Sequence, residues 1–574
     1  MNKKIIFIAL RDHYANGVRL LANVCLQQGY DAHVIVFKTF DDGRPRSVTR
    51  KEWNLLRGEL RKLNPEIIGT SFTSLPLAGI TPKKWFSFLK KTCPGALLTC
   101  GGFGPTFEPE KFLKAGADFA VRGEGEEAVL DLVKAKDREE LKTAQNFAWL
   151  NNGRLVLNSM RPLIDLADVP EFLIGNTHFS FIDNDSINYV DPMLSLAVTT
   201  VCSSRGCVGH CTYCSGGNWL KIYKDQHGLV KRYRTRPIEA VISECEHARN
   251  MGSTYILFMD EYFIRPEEEF YRFFREYKKR VNLPFGLMVH SAFLDKDEQR
   301  FEALFQSGIH DVEIGVQSAS PHIYNEIFRR DVPANLQMRM LKKYHEHWIA
   351  TQVDFITGHS LESEDDFRLS LQFIKELPYD PLWPARTGIA AFILGLFPGA
   401  PLASLFPDVK RNPLPPNEQE FRQRMLYLRH ILKDDDAFFS IYDDPMFHDH
   451  PIMIRDVFWE TFQAGREKAR GDMLARLCGK KVWFLGGGRE YHTHRHLFRD
   501  IEALGMIVDV PGGPKEIDGM PVFRPHDVLE DDETPIVMFT SSPGVIAGKV
   551  LREHGRSHPL FPCYRASYRT LFME

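Results

Sequence analysis

No stretch of the chain approaches the ~18 to 20 consecutive apolar residues of a membrane span. Neither charge dominates, with 72 Lys and Arg against 75 Asp and Glu. The first absence argues against a membrane-spanning helix. The second removes the basic footprint of nucleic-acid binding, so no nucleic-acid partner is expected. Cysteine is sparse, ten in 574 residues, which is no disulfide framework and fits a reducing, cytoplasmic setting. No internal repeat or low-complexity segment stands out. Lys3 and Lys4 precede only a short apolar run, Ile5 to Leu10, with no small-residue cleavage site. That run is expected as a first strand, not a signal peptide.

What is present is alternation. Strand-like runs at 5–10, 32–37, 67–71, 96–100 and 119–122 alternate with helical spacing, as at Val18 to Gln28 before Gly29. The pattern predicts an α/β chain whose first domain, 1–150, is a doubly wound, Rossmann-like parallel sheet. Ligands of such sheets bind beyond the C-terminal strand ends, here Arg11 to Gly17, Ser71 to Ser74, Gly101 to Thr106 and Gly123 to Glu126. Residues 151–193 read as a connector. A second series of six strands, at 196–201, 255–259, 285–289, 312–316, 352–356 and 388–393, predicts a partial (β/α)6 barrel over 194–405. Residues 406–478 read as helical. Residues 479–574 read as a C-terminal Rossmann-like α/β domain, with a strand at 482–485 and a helix at 493–504.

Three cysteines carry the chemistry: Cys207-Val-Gly-His-Cys211-Thr-Tyr-Cys214. Soft thiolates select zinc, copper(I) or iron–sulfur clusters. A structural zinc site wants four ligands, and Cys202 or His210 would have to supply the fourth. A three-cysteine [4Fe–4S] cluster instead leaves one iron open. The loop follows a strand, where the catalytic loops of barrels cluster. Two carboxylates, Asp260 and Glu261, end the strand Tyr255 to Met259. Glu313, Gly315 and Gln317 alternate onto one strand face, which in a barrel is the interior. An unpaired Glu there would be costly, and a polar ligand explains it economically.

The cysteine loop, with Tyr213 before its last cysteine, resembles the radical S-adenosylmethionine (SAM) superfamily. The resemblance implies a [4Fe–4S] cluster on Cys207, Cys211 and Cys214, with SAM chelating the open iron. It places Tyr213, Gly216 and Gly217 at the SAM site. Asp260 is the first choice and Glu261 the second for accepting the SAM ammonium, and Glu313 and Gln317 lie near the ribose. The N-terminal segments around Thr70-Ser71, Gly101-Gly102 and Gly123-Glu124-Gly125 resemble the cobalamin-binding domain fused ahead of many radical SAM proteins, and those seven residues become candidate cobalamin contacts. The two resemblances cover about residues 1 to 400. Asp12-His13 to Gly17 departs from the spacing that supplies a cobalt-ligating histidine elsewhere, so a base-off cobalamin without protein imidazole is expected.

The resemblance implies an enzyme that cleaves SAM to methionine and a 5′-deoxyadenosyl radical, fed by an external flavodoxin- or ferredoxin-type donor. A cobalamin-dependent methyltransferase acting on an unactivated carbon of a small molecule is the expected function. The alternatives are a radical SAM oxidative cyclase or rearrangement enzyme, and a non-catalytic corrinoid sensor. Weaker candidates are Gly486-Gly-Gly488 with Asp509 for a dinucleotide, Trp383, Arg386 and Phe397 for a substrate wall, and Tyr442 to His450 for a lid or third metal site. His492, His494 and His496 read as a solvated helix start.

Overall fold

The apolar runs at the front of the chain are buried on both faces, as parallel strands covered by helices require. The computed structural model describes residues 3–39, 47–72, 80–228, 230–263, 265–289, 298–330, 334–508, 513–525, 534–540, 544–545, 547–548 and 560–562. It comprises two units, Met1–Leu283 with Gly395–Leu405, and Pro284–Leu394 with Phe406–Glu574.

In the first unit, β1 (Lys4–Leu10) sends Ile5, Phe7 and Ala9 into one core and Ile6, Ile8 and Leu10 into the other. It pairs in parallel with β2 (Asp31–Phe37) and β3 (Ile67–Ser71), so that Ile5 faces both Ala32 and Ile67. β4 (Leu97–Gly101) and β5 (Phe119–Val121) continue beyond β3. The order β5-β4-β3-β1-β2 reverses at β1, a switch point beyond whose strand ends such sheets bind ligands.

The reading of 151–193 as a connector is corrected. β6 (Phe147–Asn151) and β7 (Arg154–Leu157) form a hairpin on one edge of this sheet. β8 (Phe179–Asp183) runs parallel to β2 on the other edge and turns back into β9 (Ser186–Asn188). These edge strands are only three to five residues long, so they leave little period in the sequence. Just after them, Asp191 binds the fully buried Arg19 through two parallel hydrogen bonds of 2.7 and 2.9 Å. Asp191 also accepts the Met193 N–H, capping the helix Pro192–Leu196 that leads into the next strand.

That strand, β10 (Val198–Val201), is followed by a two-stranded ladder of β11 (Ser204–Arg205) and β12 (Arg234–Thr235), and pairs in parallel with β13 (Tyr255–Phe258). In the second unit, β14 (Phe285–Met288), β15 (Ile309–Gln317), β16 (Ala350–Thr357) and β17 (Thr387–Ile393) pair in parallel in that order. All six expected strands are present. Helices Pro416–Ile431, Asp435–Tyr442 and Ile454–Leu477 occupy the expected helical segment.

The C-terminal sheet has β18 (Lys481–Leu485) between β19 (Glu502–Ile507) and a strand at Ile536–Met538. The expected helix at 493–504 is wrong at its end, because the chain is helical only through Phe498 and then enters β19. Gly505 explains the strand. A Cβ there would sit 2.7 Å from the Phe523 ring and 2.9 Å from the Pro521 carbonyl, so the neighbouring chain can pack against bare backbone.

Removing one partner of a buried ion pair costs about 3–5 kcal/mol. Asp191→Ala is therefore expected to lower the denaturant midpoint by several kcal/mol equivalent, and an unchanged midpoint would show that the Arg19–Asp191 pair carries no net stability.

Candidate cluster loop and cavity

The loop between β11 and the helix Leu220–His227 is built from hydrogen bonds that point inward to its cysteines. The Gly209 N–H donates to Cys207 Sγ at 3.3 Å and the Gly216 N–H to Cys214 Sγ at 3.2 Å. Asn218 Nδ2 donates to the Cys211 and Cys214 carbonyls at 3.3 and 2.7 Å. Arg232 reaches across to the Gly209 carbonyl at 2.8 Å, and Ser215 Oγ donates to the Pro398 carbonyl at 2.6 Å. Gly217 is required by close approach, since a Cβ there would lie 2.4 Å from the Gly209 carbonyl oxygen. Amide N–H groups aimed at thiolate sulfurs, on a loop pinned at both ends, suit an iron–sulfur cluster.

The two residues that would complete a zinc site are engaged elsewhere. His210 pairs with the Arg232 guanidinium at 2.7 Å, and the Cys202 thiol donates to the Met259 carbonyl at 3.6 Å. Burial also pushes the Cys202 thiol well up, which opposes the thiolate form a metal needs. Among the described residues no group of three or more His, Cys, Asp and Glu converges on a single metal ion.

The acidic pair after β13 separates into two roles. Asp260 is 1% exposed and fully engaged by the loop below the cysteines. It accepts the Ser203 N–H at 3.2 Å, the Ser203 hydroxyl at 2.9 Å and the Ser204 hydroxyl. Glu261 turns the other way. A Cβ built on Gly216 would lie 3.4 Å from Cys214 Sγ and 3.5 Å from Glu261 Oε1, so carboxylate and thiol flank one glycine. Glu261 is exposed, yet the surrounding protein desolvates it enough to raise its pKa, against the Gly206 N–H that steadies the charge. Asp260, the first choice for the SAM ammonium, is thus already bound by Ser203 and Ser204, and Glu261 is the carboxylate near Cys214.

Beside this loop lies a cavity of about 420 Å³. All seven candidate cobalamin contacts, Thr70, Ser71, Gly101, Gly102, Gly123, Glu124 and Gly125, line it. Their contributions differ. Glu124 is held by Arg205 at 3.0 Å and Arg234 at 2.5 Å, with the Ile164 N–H on its second oxygen at 2.9 Å. Burial alone would raise its pKa, but the two guanidinium groups outweigh it and hold the carboxyl below its ordinary value. Gly123, at φ +76°, makes room for the Tyr223 hydroxyl, which would lie 2.0 Å from a Cβ.

Gly17 lines the cavity and has no neighbour within 4 Å of where its Cβ would stand. Thr99 also lines the cavity, and its buried hydroxyl has no hydrogen-bond partner among the described residues. Open backbone and an unsatisfied polar atom fit a large ligand with polar substituents. His13 is not among the lining residues. Thr73 and Ser74 lie outside the described residues.

Sequence reasoning missed Thr99, Arg205, Trp219 and Arg236, which also line the cavity. Arg205, two residues before Cys207, and Trp219, five residues beyond Cys214, had a positional signal.

In the second unit, Gln317 sits at φ +67° with a buried Oε1 that has no hydrogen-bond partner among the described residues. Its amide folds over Gly315, whose Cβ would lie 2.3 Å from Gln317 Nε2. Glu313 is not isolated. Burial, and then the adjacent Glu313 carboxylate, raise the pKa of neighbouring Asp354. Trp383 stacks on Trp348 at 5.6 Å and Arg386 lies over the same ring at 4.0 Å, so both are packing residues. Phe397, in the first unit, is 37% exposed. Around Tyr442 to His450, Asp444 caps a helix and His448 stacks on Phe421 at 3.8 Å, which accounts for that cluster structurally. Of the dinucleotide candidates, a Cβ on Gly486 would lie 2.6 Å from the Phe539 carbonyl oxygen, and Asp509 lies outside the described residues.

Residues 201–374 match the family model of the radical SAM superfamily, and residues 3–133 match the B12 binding domain. The anaerobic magnesium-protoporphyrin IX monomethyl ester cyclase of Cereibacter sphaeroides is 25% identical over 350 residues, 57% of this chain and 53% of that protein. An uncharacterized methyltransferase of Pyrococcus horikoshii is 27% identical over 328 residues, 56% of this chain and 66% of that protein. The chain thus spans less than two thirds of either relative. Among solved structures, the radical S-adenosylmethionine methyltransferase TsrM of Kitasatospora setae shares the fold at 16% identity with a TM-score of 0.54, covering 70% of this chain and 75% of its own.

The two acidic neighbours differ in a measurable way. Asp260→Ala leaves buried hydroxyl and amide donors unmatched and is expected to cost about 1–3 kcal/mol of stability. Glu261→Ala should change stability by less than about 0.5 kcal/mol. Equal losses in denaturant unfolding would contradict the division of roles.

Proposed function

We propose, for a chain that belongs to the radical SAM superfamily and carries an N-terminal B12 binding domain, that it is a cobalamin-dependent methyltransferase acting on an unactivated carbon of a small molecule. Its cofactors are a [4Fe–4S] cluster, SAM and cobalamin. In this reading Cys207, Cys211 and Cys214 hold the cluster, and Tyr213, Gly216, Gly217 and Glu261 form the near side of the SAM site. Glu313 and Gln317 supply further polar contacts, and Asp260 holds the loop root. The first domain extends through Asn188, and a flavodoxin- or ferredoxin-type donor in the cytoplasm delivers the electron.

When bound, the cluster with SAM supplies a carbon radical and cobalamin supplies a methyl donor. The chain's own part is placement. Glu261 presents a carboxylate beside Cys214, suited to an ammonium group. The Gly209 and Gly216 N–H groups stabilise thiolate charge. The Glu124, Arg205 and Arg234 contacts fix the loop roots against the cavity wall.

One observation carries the reading. The cavity is walled on one side by the strand ends of the B12-type sheet and on the other by Gly206 and Trp219, which bracket the three cysteines. The Pyrococcus methyltransferase relative supports methyl transfer. The Cereibacter cyclase relative keeps an oxidative cyclisation as the second reading.

Products decide between them. Anaerobic reconstituted protein with SAM, reductant and substrate is expected to yield S-adenosylhomocysteine together with 5′-deoxyadenosine, whereas 5′-deoxyadenosine alone would sink the methyltransferase assignment. Glu261→Gln should weaken SAM binding about 10- to 100-fold, the worth of a charge-assisted hydrogen bond, with iron content unchanged. Gly17→Leu, which adds a bulky side chain at a lining position, should weaken hydroxocobalamin retention on gel filtration while leaving the fold intact. Full retention would show that the ligand binds elsewhere.

A further inference from the structure

Three residues that line the cavity each carry a buried polar atom without a hydrogen-bond partner among the described residues: the Thr99 hydroxyl, the Trp219 indole nitrogen and Arg236 Nε. Thr99 is 3% and Arg236 5% exposed, and the Trp219 nitrogen is itself out of reach of solvent. A buried polar group left unpaired suffers its full desolvation cost, so native proteins pair nearly all of them. Three around one cavity point to an absent partner. The indole and guanidinium nitrogens are donors only, so that partner must present acceptors.

The three come from both sides of the cavity. Thr99 lies in β4 of the N-terminal sheet. Arg236 follows β12, where its Nη1 donates to the Cys202 carbonyl at 3.0 Å and to Glu244 at 2.5 Å. Trp219 belongs to the turn that begins one residue after Cys214, its N–H bonded to the Ser215 carbonyl at 3.0 Å. Its ring is fixed by Tyr223, edge-on at 5.2 Å and 88°. The Tyr223 hydroxyl in turn accepts the Glu124 N–H at 2.8 Å. The indole therefore has little freedom to turn away from the cavity and find another partner.

We infer that Trp219 is a cofactor-binding residue, donating its indole N–H to an acceptor oxygen of the cavity's occupant, with Arg236 and Thr99 completing a three-point contact. The ligand chemistry is amide or phosphate oxygen, which a corrinoid offers in its side-chain amides and nucleotide tail. The inference rests on the proposed cobalamin reading. It adds that the turn carrying the last cluster cysteine is itself part of the cobalamin wall.

The test is an anaerobic titration of full-length, cluster-reconstituted protein with hydroxocobalamin, comparing wild type with Trp219→Phe, which keeps a ring against Tyr223 and removes only the N–H. Affinity is expected to fall about 3- to 10-fold, the range of one neutral hydrogen bond, with iron per chain unchanged. If wild type takes up no hydroxocobalamin, the cobalamin reading itself fails. If wild type binds and Trp219→Phe binds equally well, the Trp219 assignment is overturned. Should Trp219→Phe lose iron, Thr99→Val on the opposite wall supplies the measurement, and undiminished affinity there rejects the three-point contact.

Discussion

A single carboxylate ties the two chemistries of the first unit together. Glu124 stands at the end of a strand of the N-terminal sheet, and Arg205 and Arg234 reach it from the short ladder that brackets the cysteine loop. Glu126 adds a second contact to Arg205. The charges are largely shielded from water, with side-chain exposures of 6 to 24%. A burial this deep gains little net stability against its desolvation. Its worth is geometric. Arg205 lies two residues before Cys207, so the contact fixes where the cysteine loop starts relative to the cavity.

From that fixed point the rest follows locally. The Gly206 N–H meets Glu261, Glu261 meets the glycine beside Cys214, and Asn218 and Arg232 close the loop around the three thiols. The turn then delivers Trp219 back to the cavity wall. A radical generated at the loop and a methyl donor seated in the cavity would thereby share one frame, whose precision depends on short polar contacts rather than on a large apolar interface.

Much of this was legible in the sequence because it depends on periodicity and on rare residue types. Buried parallel strands leave unbroken apolar runs, and three cysteines in eight residues have few meanings. The glycine-rich strand ends also marked the cavity, since all seven residues named for it line its wall. Three kinds of feature were not legible. The edge strands at Phe179–Asp183 and Ser186–Asn188 are too short to show a period. The choice between Asp260 and Glu261 turns on which carboxylate Ser203 and Ser204 occupy, and that depends on a loop conformation. Thr99, Arg236 and Trp219 are ordinary residues whose meaning lies in what they lack, a partner, and only coordinates show that.

The central claim is that one chain holds a thiolate-bound cluster and a cobalamin against the same frame. The most direct measurement is the iron, sulfide and cobalt content of anaerobically reconstituted protein after gel filtration with hydroxocobalamin, read alongside its absorption spectrum. The account predicts one [4Fe–4S] cluster and one corrinoid per chain in the same molecule, with the cluster lost on Cys207→Ala, Cys211→Ala or Cys214→Ala. A protein that keeps its cluster but retains no cobalt would contradict it.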